Sequence, residues 1–176
     1  MRRSGKVALC GVLCALSVIC MLLTVIPVAT YCLPALAGLI LLPLALEIDL
    51  KWGFAGYVAT AVLSFLIAPD MEAKVLFIGF FGYYPVLKTW LDTVRPVVLQ
   101  WVVKLILFNA TMVGAYCLLL YVLGLPADTF ELFDVNIPMV LLGIGNVIFV
   151  IFDLALASVT ALYWRRGHAL FARVFK

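Results

Sequence analysis

Few side chains in this sequence are equipped for chemistry, and most of those lie inside long apolar stretches. Lys88, Lys104 and Asp153 are ionisable groups set among leucines, valines and phenylalanines. Charge is costly in hydrocarbon, so such groups face protein or a water-filled cavity and pair with one another. Asn109 and Asn146 are neutral and carry both donors and acceptors. They suit a polar ligand, or a hydrogen bond that glues two helices. Tyr83 and Tyr84 precede Pro85 in the run FIGFFGYYP. A proline there withholds a backbone donor, frees the Phe81 carbonyl and lets one of the phenols turn inward. The run reads either as a structural kink or as the wall of a pocket.

Catalytic constellations are missing. The sequence has no Walker A loop, no HExxH and no GxSxG, and its single histidine, His168, sits in a basic tail. Cys10, Cys14, Cys20, Cys32 and Cys117 lie in or beside apolar segments and read as small buried hydrophobes. Cys10 and Cys14 are one helical turn apart, but no histidine or third thiol nearby completes a metal site. The expectation is a protein that is not an enzyme and holds no metal or other cofactor.

The elements that position these residues are read from hydropathy. Two thirds of the 176 residues are hydrophobic and the mean hydropathy is +1.24, too apolar for a water-soluble globule. A bilayer core needs about 20 apolar residues per helix. Six stretches approach or exceed that: 7–26, 33–46, 52–68, 75–94, 97–123 and 139–164. Irregular backbone cannot face lipid and the alternation of barrel strands is absent, so they are predicted to be helices. The predicted fold is an all-α integral membrane protein, a compact bundle of six transmembrane helices forming one domain over 1–176.

Basic residues orient it. Arg2, Arg3 and Lys6 mark the N-terminus, Arg165, Arg166, Arg173 and Lys176 mark the tail, and Lys51 and Arg95 fall in the turns on the same side. The opposite side carries Asp70, Glu72, Asp128, Glu131 and Asp134 against Lys74 alone. Both termini are therefore expected in the cytoplasm, in a multi-pass protein of the cell membrane. The net charge of +3 reflects this topology and gives no reason to expect a nucleic-acid partner. Residues 1–29 begin with bases but lack a convincing signal-peptide cleavage end, and six spans leave no room for a soluble domain. The tail 164–176 alternates bases with apolar residues and suits a short helix on the inner leaflet.

Within this frame, Lys104 lies about 10 Å and Asp153 about 16 Å from the cytoplasmic end at 1.5 Å per helical residue. A lysine stem spans that difference, so the two can meet between antiparallel neighbours. Three readings stay open: an ion pair that fixes helix register, a coupling element that senses movement, and a lysine that snorkels away from an unrelated Asp153. Lys88 enters from the same half and either competes for Asp153 or snorkels. On the first stretch, VALCGVLCALSVICMLL, Gly11 and Ala15 stand four apart with Ala8 and Cys14 near the same surface. Small residues let another helix approach closely, within this chain or from a partner. The segment 126–138 is acidic, and is either a solvated loop or a lid.

The basic N-terminus running into VALCGVLCALSVICMLL, six spans in under 200 residues, and the segments FFGYYPVLK and QWVVKLILFN together resemble an S component. S components are the substrate-binding membrane subunits of energy-coupling factor transporters, and the chain looks like an uncharacterised S-component-like branch. The resemblance implies capture of a vitamin or other micronutrient outside. It also implies docking on an energy-coupling module, made of a transmembrane coupling subunit and two ATPases. Docking in that family uses a small-residue A-x-x-x-A motif on the first helix, for which Gly11 and Ala15 are the matching positions here, with Ala8 beside them. The family's solute site lies toward the outside among later helices, which points to Asn146, Asn109 and Tyr83, with Tyr84 adjacent. A different class also fits the residues: a non-transporting membrane scaffold of a cell-envelope assembly. That alternative expects a solid core, with Lys104, Asp153 and the asparagines paired to each other.

Overall fold

The computed structural model describes residues 3–25, 30–123, 131–132 and 135–167; for 115–116, 118–141 and 166–167 only the backbone is described. Helices account for nearly all of it: α1 (Arg3–Leu22), α2 (Cys32–Glu47), α3 (Leu50–Ile67), α4 (Met71–Leu76), α5 (Tyr84–Leu91), α6 (Val97–Leu123) and α7 (Ile137–Leu162). A 3-10 turn, Leu23–Val25, extends α1, and a wide π turn, Tyr163–Gly167, extends α7. Between α6 and α7 a two-residue antiparallel ladder pairs Glu131 with Asn136 and Leu132 with Val135. Among the described residues, four helical stretches are long and apolar enough to cross a bilayer: Arg3–Val25, Leu50–Ile67, Val97–Gly114 and Leu142–Arg165. They suggest a membrane protein.

The chain forms two bodies. The first comprises Met1–Val94 together with Val159–Lys176, and the second Arg95–Ser158. In the first, α1, α2 and α3 pack mutually around Leu9, Met21, Ala37, Leu41 and Leu44. Asp49 takes an extended backbone conformation and its carboxylate accepts the Leu50 N–H at 2.8 Å, so the turn between α2 and α3 is only two residues long. Asp70 opens α4 in the same way, accepting the Glu72 N–H at 3.0 Å.

The expected fourth span, 75–94, is not one helix. It runs as α4, a π turn over Phe77–Phe81, and then α5. Pro85 sits in the first turn of α5, where its missing N–H costs nothing, so it starts a new helix instead of kinking an old one. In the π turn the Gly82 N–H reaches back to the Phe77 carbonyl at 2.8 Å. The Tyr57 hydroxyl of α3 donates to the Ile78 carbonyl at 2.6 Å. The Phe81 carbonyl, which Pro85 cannot serve, lies directly against Gly38 of α2, so close that a methyl group on Gly38 would overlap it. Only a residue without a side chain admits a backbone carbonyl there.

The second body pairs the described parts of α6 and α7 antiparallel. Phe108 and Phe149 stack with centroids 4.7 Å apart and an interplanar angle of 14°. Gly145 leaves room for the Phe108 ring.

Candidate functional site

Three groups of sequence-predicted residues have distinct surroundings. The polar rungs of the second body come first. On α6, Lys104, Phe108 and Asn109 lie within two helical turns, and on α7 their partners Asp153, Phe149 and Asn146 follow in the reverse order. Lys104 Nζ donates to Asp153 Oδ2 at 3.1 Å, with both side chains nearly inaccessible, at 2% and 4% exposure. The ammonium also stands 5.4 Å over the Trp101 ring. One turn or so further along, Asn109 and Asn146 exchange amide hydrogen bonds, Asn109 Nδ2 to Asn146 Oδ1 at 2.9 Å and Asn146 Nδ2 to Asn109 Oδ1 at 3.0 Å. Each Nδ2 also donates to its own helix, to the Leu105 and Leu142 carbonyls, both at 2.8 Å. All four amide N–H groups are thereby used. A solute acceptor would reach these N–H groups only by displacing a bond already made.

Lys88 has a carboxylate close by in its own segment. It pairs within its own helix, its Nζ 3.1 Å from Asp92 Oδ2 and donating to Oδ1 at 3.3 Å. The i,i+4 spacing of Lys88 and Asp92 carried this signal in the sequence.

The aromatic break is the second group. Tyr84 is fully buried and stacks on Phe80 at 4.7 Å. Tyr83 is half-buried, edge-on to Tyr57 at 5.9 Å and to Phe80 at 6.3 Å. Both phenols thus belong to an aromatic cluster that closes the widened turn, and only Tyr83 retains partial access.

The third group is a face of α1. Ala8, Gly11 and Ala15 are exposed, and an added Cβ at Gly11 would meet nothing within 4 Å. Val7, Val12, Leu16 and Ile19 extend the same bare surface. The opposite face is packed: Cys14 Sγ donates to the Gly56 carbonyl at 3.5 Å and Ser17 Oγ to the Ala37 carbonyl at 2.8 Å. Internal packing, one of the two readings of Gly11 and Ala15, is therefore absent from this body.

No family model, curated protein or solved structure matches this chain.

At the opposite ends of the first body two phenol–carboxylate bonds tie helices together. Tyr163 donates to Glu47 Oε1 at 2.8 Å, joining the end of α7 to the end of α2. Tyr31 donates to Glu72 Oε1 at 2.7 Å, joining the start of α2 to α4. The bond to Glu72, followed by partial burial and the charges of Glu72 and Asp70, raises the Tyr31 phenol above its ordinary pKa. Sequence reading missed both. Among the described residues, no three His, Cys, Asp or Glu side chains gather to hold a metal ion. Cys10 and Cys14 are 3.9 Å apart, sulfur to sulfur, and all five cysteines are free. Most of the acidic segment 126–138 and the tail beyond Gly167 lie outside the described residues.

Proposed function

We propose that this chain is the solute-capturing subunit of an energy-coupling factor importer for a vitamin or other micronutrient, with ATP hydrolysis supplied by its partners. In this reading it crosses the cell membrane six times with both termini in the cytoplasm. The short α2 and the interrupted 71–91 segment then serve as spans alongside the four longer stretches. The observation that carries the reading is the bare face of α1. Lipid gives helices no hydrophobic reason to associate, so an exposed row of small residues has its value in close backbone approach by a partner helix. Ala8, Gly11 and Ala15 supply that row while the opposite face of α1, with Leu9, Cys14, Ser17 and Met21, is packed. The coupling subunit of the energy-coupling module docks on it. The solute binds at Asn109 and Asn146, where it competes for amides that otherwise bond to each other.

That mutual bonding favours the second reading, a non-transporting scaffold of a cell-envelope assembly. Paired asparagines and a buried Lys104–Asp153 bond are what a solid polar seam requires. Two measurements separate the readings. Replacing Gly11 and Ala15 together by Leu abolishes co-purification with the coupling module and spares solute binding if α1 docks there. Mass spectrometry of small molecules released by denaturing the purified protein yields one recurring stoichiometric compound if it captures a solute. A well-folded protein that repeatedly releases nothing, and whose Leu variant still co-purifies with the module, refutes the transporter reading.

A further inference from the structure

Cys10 and Cys14 stand one turn apart on α1, with their sulfurs 3.9 Å from each other and both thiols free. Two reactions join a pair of thiols: oxidation to a disulfide, and chelation of a soft metal ion. Geometry separates them. A disulfide needs Cβ atoms about 3.5–4.5 Å apart, whereas i,i+4 positions on a helix hold them at about 5–6 Å. Chelation requires no such closure. With metal–sulfur bonds of about 2.3 Å, sulfurs 3.9 Å apart subtend about 115° at the ion, between the tetrahedral and trigonal angles. The pair already has the bite of a chelate.

Both sulfurs can give what chelation asks. A thiol that binds a metal surrenders its proton, so the hydrogen bond between the two ends with binding instead of opposing it. Cys14 also donates to the Gly56 carbonyl at 3.5 Å, and that bond is lost in the same step. The carbonyl has a replacement donor. Thr60 stands four residues after Gly56 on α3, and its hydroxyl is fully buried without a hydrogen-bond partner among the described residues. A threonine hydroxyl in a helix reaches the carbonyl four residues back. Thr60 therefore takes up the Gly56 carbonyl as Cys14 releases it. The ion enters from the Cys10 side, since Cys10 is half-buried and Cys14 almost wholly so.

The donor set selects the ion. Among the described residues no third His, Cys, Asp or Glu joins the pair, so zinc, which takes four ligands in a closed site, is left half-served. Cu(I) is soft, is selected by thiolates and is content with fewer of them. Lys6, one turn before Cys10, brings positive charge to the same side of α1, against the net negative charge of a bis-thiolate Cu(I) centre. We infer that Cys10 and Cys14 chelate Cu(I), with a further position open to the thiol of a small carrier. Binding replaces two thiol protons by one Cu(I), with no change of oxidation state. The inference holds for an importer subunit and for a scaffold alike.

The test is anaerobic titration of the reduced full-length protein in micelles with Cu(I) supplied as its glutathione complex, competed by the chromophoric chelator bicinchoninate. The expected result is one Cu(I) retained per chain. Cys10→Ser removes one arm of the chelate, and affinity falls about hundredfold or more; Cys14→Ser does the same. The combined Cys20→Ser, Cys32→Ser, Cys117→Ser variant keeps the ion. Circular dichroism establishes that each variant is folded; if Cys14→Ser is not, Cys10→Ser decides alone. No retained copper, or unchanged affinity in folded Cys10→Ser, overturns the inference. Retention of Zn(II) in preference to Cu(I) when both are offered overturns the choice of ion.

Discussion

Gly38→Ala is the sharpest perturbation this fold offers, because the added atom has only one place to go. The new Cβ would overlap the Phe81 carbonyl oxygen and approach Pro85 Cγ at 3.3 Å. A flexible side chain could rotate aside, but a carbonyl on a π turn moves only if α2 and the 77–85 segment separate. Overpacking of a tight core costs about 1–3 kcal/mol, and an immovable obstacle belongs at the upper end. Against this, alanine gains about 0.5–1 kcal/mol over glycine inside a helix. The balance is a loss of about 2 kcal/mol. Gly11→Ala is the matched control: it makes the same chemical change in a helix where nothing lies within 4 Å, so only the gain remains. The two variants should differ by about 3 kcal/mol in opposite directions from the wild type. Equilibrium unfolding in mixed micelles, followed by tryptophan fluorescence, reads the difference. A Gly38→Ala protein as stable as Gly11→Ala would refute the reasoning, since it would mean that the carbonyl does not pack against α2.

The remaining predictions concern charge. Asp153→Leu leaves the buried Lys104 ammonium without its carboxylate and should destabilise the protein by about 3–5 kcal/mol, while Lys104→Met combined with Asp153→Leu costs much less, because the seam becomes apolar on both sides. A double-mutant cycle by the same unfolding assay measures this, and additive single effects would refute the pairing. The Tyr31–Glu72 bond predicts a pH dependence of defined sign. A phenol whose folded pKa is raised contributes stability that is fully present below the unfolded value near 10 and disappears as pH climbs through the folded value. Tyr31→Phe should therefore lower stability at neutral pH and flatten the decline at alkaline pH. Phenolate absorbance of the wild type and the variant, recorded across that range, provides the check.

Sequence alone determined that this chain is helical and apolar enough for a bilayer, because hydropathy and helix length are local properties that need no partner. It also singled out Lys104 and Asp153, since an ion inside an apolar stretch must be answered by another. Depth arithmetic brought them within reach of each other, and the neighbouring Asn109–Asn146 exchange was one of two readings that residue type allowed. What sequence could not decide was which faces are occupied. Gly11 and Ala15 look the same in the sequence whether they pack inward or lie bare, and only the packing of Cys14 and Ser17 against α2 and α3 turns them outward. Pro85 announced a break, but the π turn before it exists because the Phe81 carbonyl has Gly38 to rest on and the Ile78 carbonyl has Tyr57 to serve it. Lys88 pairs with Asp92, one turn on at the end of α5, a contact that the i,i+4 spacing allowed and the fold realises. The cavity beside that pair, lined also by Leu46, Thr160 and Trp164, is a tertiary property altogether. It exists only where α2, α5 and the end of α7, far apart in sequence, come together.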